Sequence, residues 1–250
     1  MRGLSGRNDP RIYIIPKRIS SIKRIIAVMS SKGGVGKTVV SVLLALALRE
    51  KGYRTGLLDL DFTNPSTHIV LGINPSMYQP LEDKGIIPPE VHGIRYMSIS
   101  VYSGDKPTPL RGEAVDEVFR EVLAITRWGE LEYLVIDTPP GLGDEHLNLL
   151  TYMGDRVEAL LVSTSSILAL ESVKKLIYLL FEGGYSVIGL VENMCREKKL
   201  EGICRNTGVE YLGCIPYDTG IEEGIGSVDR LKSTKAWKHV LSIADRIAGV

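Results

Sequence analysis

The chain has 250 residues, 44% of them hydrophobic and 24% charged, with 30 Lys plus Arg balanced by 30 Asp plus Glu. This size is enough for one large α/β domain with a full core. The zero net charge excludes an overall field that would draw the whole molecule to nucleic acid or to a membrane.

The balance is uneven along the chain. Residues 1–24 carry seven basic side chains (Arg2, Arg7, Arg11, Lys17, Arg18, Lys23 and Arg24) against Asp9 alone. Residues 1–21 therefore read as a basic N-terminal extension, either an arm for an anionic partner or a solvated terminus. Residues 22–250 read as a single domain.

From there, apolar runs of strand length alternate with segments of helical period, which predicts an α/β fold with a mainly parallel sheet covered by helices on both faces. Strands are expected at 24–29, 54–60, 94–99, 133–138, 157–163, 186–193 and 211–215. Several are apolar throughout, as strands buried on both faces must be. Helices are expected at 37–50, 112–127, 169–182 and 234–248, the third closed by a left-handed cap at Gly183 and Gly184. The proline-rich stretch 74–92 reads as a surface excursion between strands of one sheet. The longest nearly apolar run, "VVSVLLALAL" at 39–48, is too short to span a bilayer. No signal-peptide pattern precedes it. Three cysteines, an odd number, argue against a disulfide framework and for a reducing cytoplasm.

"RIIAVM" followed by "SSKGGVGKT" and an apolar helix is the strand, loop and helix context of a phosphate loop, although Ser31 stands where GxxxxGK[ST] has its first glycine. Gly33, Gly34 and Gly36 let successive amides curl toward one point, and the helix adds the positive end of its dipole. Val35 and Val39 complete the loop and the first turn. Lys37 would reach the β and γ phosphates, and the Thr38 hydroxyl would ligate Mg²⁺. Two sets of carboxylates close strands, Asp59 and Asp61 in "LLDLDF" and Asp137 in "YLVIDTPPG". Parallel strands bring such ends to one edge of the sheet, beside the loop.

These motifs resemble those of the deviant Walker A P-loop ATPases of the MinD, ParA and Mrp group, whose loop reads KGGxGK[ST] with an added signature lysine, here Lys32. The likeness is greatest to the Mrp/ApbC, or nucleotide-binding-protein, branch of iron–sulfur cluster carriers. It runs through residues 25–66, 111–149, 162–194 and 211–218, with "DTPPGLGDEHL" the most telling piece.

The resemblance implies an ATP- and Mg²⁺-dependent homodimer in which Lys32 reaches the partner's nucleotide. It assigns Mg²⁺ to Thr38, Asp59 and Asp137, the attacking water to Asp61, and the γ-phosphate to the Gly141 amide. The adenine falls to Asn193, with Pro216 and Tyr217 beside the ring. Slow phosphoryl transfer to water is expected, in the cytoplasm, with apo iron–sulfur proteins as clients.

The sequence departs from that family in two places. The CxxC pair that supplies cluster thiolates is absent. Cys195 and Cys204 stand as candidate ligands of an iron–sulfur cluster bridging two subunits, or as structural cysteines, while Cys214 reads as a small buried hydrophobe. "DFTNPS" also replaces the tyrosine and glycine that relatives carry before Pro65 and Ser66.

Two other functions compete. A MinD- or ParA-like positioning ATPase would bind membrane or DNA, and its support would be an amphipathic terminal helix at 234–248. That spacing more often marks a helix packed on its own sheet, so neither nucleic acid nor membrane is expected as a partner. A ligase or kinase on the same scaffold has no support beyond the loop, since His68, His92, His146 and His239 show no metal-ligand spacing.

Overall fold

The computed structural model describes residues 9–103, 113–141 and 144–249. In chain order the elements are α1 (Pro10–Ile19), β1 (Ile22–Met29), α2 (Lys37–Glu50), β2 (Thr55–Asp59), α3 (Thr67–Leu71), β3 (Leu81–Glu82), β4 (Ile86–Ile87), β5 (Glu90–Val91), β6 (Ile94–Ser98), α4 (Ser100–Ser103), α5 (Glu113–Ile125), β7 (Leu131–Asp137), α6 (Asp144–Met153), β8 (Val157–Ser163), α7 (Ile167–Glu182), β9 (Ser186–Cys195), α8 (Leu200–Thr207), β10 (Tyr211–Pro216), α9 (Thr219–Gly224), α10 (Val228–Lys232) and α11 (Lys235–Ala248).

Eight strands form one sheet in the order β10-β9-β8-β1-β7-β2-β6-β5. All neighbours run parallel except β5, which pairs antiparallel with β6 at the edge. Alternation along the strands divides the core. On β1, Ile25, Ala27 and Met29 pack with residues of α1, α5, α6, α7 and α8, whereas Ile26 and Val28 pack with α2 and α11 on the other face. The sheet is therefore covered on both sides, as the alternating pattern predicts.

The expected elements are all present, with ends shifted by up to two residues. Gly184 (φ 72°) takes the left-handed conformation after α7, while Gly183 (φ −77°) does not. The excursion at 74–92 holds a single turn of 3-10 helix at Pro75–Met77 and the antiparallel pair β3 and β4.

The N-terminal segment differs from its reading as an extension. Residues 10–19 form a helix started by Pro10 and capped by Asp9, which accepts the Arg11 N–H at 3.0 Å. Ile15 and Ile19 are buried against the domain. The basic charges meet acids far away in sequence: Arg11 with Glu117 at 2.6 Å, Lys23 with Glu132 at 3.0 Å and Arg24 with Glu158 at 2.7 Å. Arg11 and Arg120 hold the Asp9 carboxyl well below the usual carboxylate range. The described part of the segment is thus packed into the domain, and Arg11, Lys23 and Arg24 are met by acids within the chain.

The terminal helix α11 turns Trp237, Val240, Ala244 and Ile247 into the core against α2 and β10. Its apolar face is already occupied, which removes the support for a membrane-binding helix there. Among the described residues no helix is long and apolar enough to cross a membrane.

Candidate nucleotide-binding site

The carboxyl ends of β1, β7 and β2 lie side by side, because Val28 pairs with Asp137 and Asp137 with Asp59 in register. The loop after β1 then curls over these ends into α2. Gly34 (φ 78°) and Gly36 (φ 80°) adopt left-handed conformations that side chains disfavour. At Gly36 an added Cβ would also overlap the Asn193 side-chain amide. That amide donates to the Val35 carbonyl at 2.8 Å and ties β9 to the loop.

Beneath the loop, Asp137 is fully buried and is the hub of the polar network. Lys37 Nζ pairs with its Oδ1 at 2.6 Å, the Thr38 hydroxyl donates to Oδ2 at 2.8 Å, and the Ser41 hydroxyl donates to Oδ1 at 2.8 Å. All three donors come from the first turns of α2, so helix geometry alone aims them at one strand end. Ser41 read in the sequence only as an interruption of the apolar run. Its position four residues after Lys37, on the same face of the helix, is the signal that marks it.

Asp59 is the second buried carboxylate. It accepts the amides of Asp61, Ser66 and Thr67 at 3.0, 3.2 and 3.1 Å and the Thr67 hydroxyl at 2.7 Å; that hydroxyl also meets the Tyr96 hydroxyl at 2.9 Å. Burial, with the charge of nearby Asp137 as the next contribution, pushes Asp59 up to about 7. Thr67 and Tyr96 were not legible as site residues, since neither stands in a phosphate-binding pattern.

An open cleft of about 250 Å³ lies over the loop, lined by Ser30, Lys32, Gly33, Gly34, Val35, Gly36, Lys37 and Thr38, with Asp61, Asn64, Ser66 and Pro140 opposite. Asp61 holds its own turn by accepting the Thr63 hydroxyl at 2.8 Å and the Asn64 amide at 3.1 Å. Lys32 is half-exposed, and its carbonyl accepts the Ser30 hydroxyl at 3.0 Å. Loop amides, a buried lysine, a hydroxyl and a carboxylate within one cleft suit a polyphosphate. Thr38 beside Asp137, with Asp59 near, offers the hard oxygen donors that suit Mg²⁺.

Other expected residues lie elsewhere. The Gly141 amide donates to the Ser30 carbonyl at 3.0 Å, where the turn after β7 (Gly141 φ 105°) docks on the loop, so it does not face the cleft. Asn193 is buried beneath the loop, and Pro216 and the exposed Tyr217 lie beyond it at the end of β10; none of the three lines the cleft. His146 has its side chain outside the described residues. His92 bonds the Leu71 carbonyl at 3.0 Å through Nε2, and His239 is exposed.

The cysteines correct the sequence reading. Cys195 and Cys204 are not brought together as a ligand pair. Cys195 forms a disulfide with Cys214, with the two Cα atoms 5.9 Å apart, because β9 and β10 are neighbours and end side by side. Cys204 is buried in α8, and burial pushes its thiol up to about 11, away from the thiolate that a metal requires. The argument against a disulfide framework and the reading of Cys214 as a small buried hydrophobe fall with it. Among the described residues no group of three or more His, Cys, Asp and Glu could hold a metal.

The strand, glycine loop and helix, with Lys37 and Thr38 on a strand-end aspartate, define a P-loop NTPase. The family described as "ParA: NUBPL iron-transfer P-loop NTPase" matches residues 21–248. The chain is 36% identical over 259 residues to an iron–sulfur cluster carrier protein of Methanocaldococcus jannaschii, covering 94% of this chain and 89% of that one. It is 34% identical over 223 residues to an iron–sulfur cluster carrier protein of Aquifex aeolicus, covering 83% of this chain but only 61% of the relative. Among solved structures it resembles the nucleotide-binding protein of Archaeoglobus fulgidus in complex with ADP, with 30% identity, a TM-score of 0.73 and coverage of 91% and 95%. It also resembles the cell division ATPase MinD of Pyrococcus furiosus, with 25% identity, a TM-score of 0.68 and coverage of 91% and 99%. The chain belongs to the ParA family of NUBPL-type iron-transfer P-loop NTPases.

Proposed function

We propose that this chain is a Mg²⁺-dependent ATPase that works as a nucleotide-switched homodimer in iron–sulfur cluster assembly, in the cytoplasm, with apo iron–sulfur proteins as clients. The observation that carries the proposal is the convergence of Lys37, Thr38 and Ser41 on buried Asp137 beneath a glycine loop, in a chain whose relatives are iron–sulfur cluster carriers. Lys37 and the loop amides would bind the phosphates, and Asp61 would orient the attacking water. Thr38 and Asp137, with Asp59, would hold Mg²⁺, which supplies charge neutralisation at the phosphates when bound. Half-exposed Lys32 would complete the neighbouring subunit's site, so hydrolysis is slow in the monomer. Asn193, Pro216 and Tyr217 would form the base side of the site, and the Gly141 amide would reach the γ-phosphate once the turn after β7 has moved off Ser30. A cluster held by Cys195 and Cys204 is not part of the proposal, because Cys195 is paired with Cys214 and Cys204 is in the core.

Sedimentation with and without ATP tests the switch. The wild type is expected to dimerise with ATP and Lys32→Ala to stay monomeric while still binding ATP; a dimer of Lys32→Ala with ATP would refute the cross-subunit role. Activation of an apo iron–sulfur protein by iron and sulfide tests the cargo. It is expected to rise when the chain and ATP are added, and not with the Lys37→Ala variant.

A further inference from the structure

The ends of β9 and β10 carry a feature that nucleotide binding alone does not use. Between the pairs Cys214 with Glu192 and Pro216 with Cys195, β10 advances two residues and β9 three. The extra residue makes a bulge on β9, and Met194 sits in it at φ 53°, a conformation unusual for a residue with a side chain. Cys195, immediately after the bulge, is bonded to Cys214 on the edge strand. Asn193, immediately before it, donates to the Val35 carbonyl of the phosphate loop at 2.8 Å. Met194 itself reaches the loop, since a Cβ on Gly36 would lie 3.2 Å from its Cε. Besides the disulfide, the Tyr217 N–H to Cys195 carbonyl bond, at 3.4 Å, joins the two strands beyond the bulge. The disulfide thus clamps the far side of a bulge whose near side supports the loop.

The two sulfurs differ in access. Cys195 is buried, whereas Cys214 is half-buried and lines a cleft of about 390 Å³ that also carries Lys198, His239 and Arg246. A thiolate entering this cleft can attack Cys214. The S–S bond breaks, Cys195 leaves as a thiolate that takes a proton from water, and a mixed disulfide remains on Cys214. The second thiol of a dithiol reductant resolves it. The protein gains two thiols, and the reductant becomes a disulfide.

We infer that Cys195 and Cys214 form a redox switch on the nucleotide site, reached through Cys214, in which the oxidised pair holds Asn193 and the bulge in place and reduction weakens nucleotide binding. This inference rests on the reading of Asn193, Pro216 and Tyr217 as the base side of the site. The coupling is reciprocal: bound ATP must shift the dithiol and disulfide equilibrium toward the disulfide by the same factor that the disulfide tightens ATP.

Thiol counting in denaturant, on protein purified without reductant, comes first. One free thiol, Cys204, is expected, and three would overturn the inference. Calorimetric titration of oxidised and reduced wild type with ATP should then show about a fivefold or greater loss of affinity on reduction. Inorganic tripolyphosphate, which lacks the base, should bind both states alike. Cys214→Ser should bind ATP as weakly as the reduced protein, with or without reductant, and Cys204→Ala should keep the redox response. Equal ATP affinity of the two wild-type states overturns the switch and leaves the nucleotide site standing. No ATP binding in either state overturns both.

Discussion

The centre of the sheet and its β9–β10 flank end at the same edge but are built differently. At the centre, β1, β7 and β2 pair in unbroken register, and the buried Asp137 at the end of β7 is met by Lys37 of α2. At the flank, register shifts fall between Ala159 and Leu160 on β8, between Tyr211 and Gly213, and between Cys214 and Pro216. Positive φ angles recur there at Gly189, Met194 and Gly213. Regular pairing fixes where phosphate-binding groups point, while bulges interrupt the ladder at the flank and leave it dependent on local ties such as the disulfide and Asn193.

The contrast is broken most severely at its centre. Lys37→Ala leaves Asp137 buried beside Thr38 and Ser41 without its countercharge, so unfolding free energy should fall by about 3 to 5 kcal/mol, measured in urea. Binding of ATP should be lost with it. An equal loss from truncating a charged side chain at the flank would erase the distinction.

A second central prediction concerns pH. Asp59, raised from 3.8 to about 7 in the fold, holds its proton more tightly folded than unfolded. Its stabilising contribution is therefore full below the unfolded value, falls as pH rises from about 4 to 7, and is gone above that window, a change of about 4 kcal/mol. Asp59→Asn should flatten the stability profile between pH 4 and 7; a profile as steep as that of the wild type would show that Asp59 does not titrate there.

Gly36→Ala tests the point where centre and flank meet. The residue must adopt φ 80° and its Cβ must displace the Asn193 amide, so about 1 to 3 kcal/mol of stability should be lost. The loss should shrink in the Asn193→Ala background, where the overlap is gone.

The same division decides what the sequence reveals. The phosphate site is legible because its parts are local: a strand, three glycines and Lys37-Thr38 in one run, with Asp137 brought in by a parallel strand end. Ser41 escapes notice only because a serine in an apolar helix looks like a break. Elsewhere the partner of a residue is set by pairing across the fold. Arg11 reads as free charge until Asp9, Glu117 and Glu121 surround it, and helix α1 is hidden by that charge. Cys214 reads as a hydrophobe until β10 is placed beside β9, because cysteine spacing along a chain does not say which strands are neighbours. Thr67 and Tyr96 serve Asp59 from elements that no motif marks.

The smallest effect lies at the flank. Asn193→Ala removes one hydrogen bond to the Val35 carbonyl, at a cost to stability of about 1 kcal/mol. The lysine and carboxylate network at the centre does not involve Asn193, so tripolyphosphate binding should be unchanged. If Asn193 supports the base, ATP affinity should fall while the affinity for tripolyphosphate stays, and the difference should persist in both redox states because the link from the disulfide to the loop has been cut. Equal losses for both ligands would mean that Asn193 acts only by shaping the glycine loop, and the flank would then serve the phosphates rather than the base.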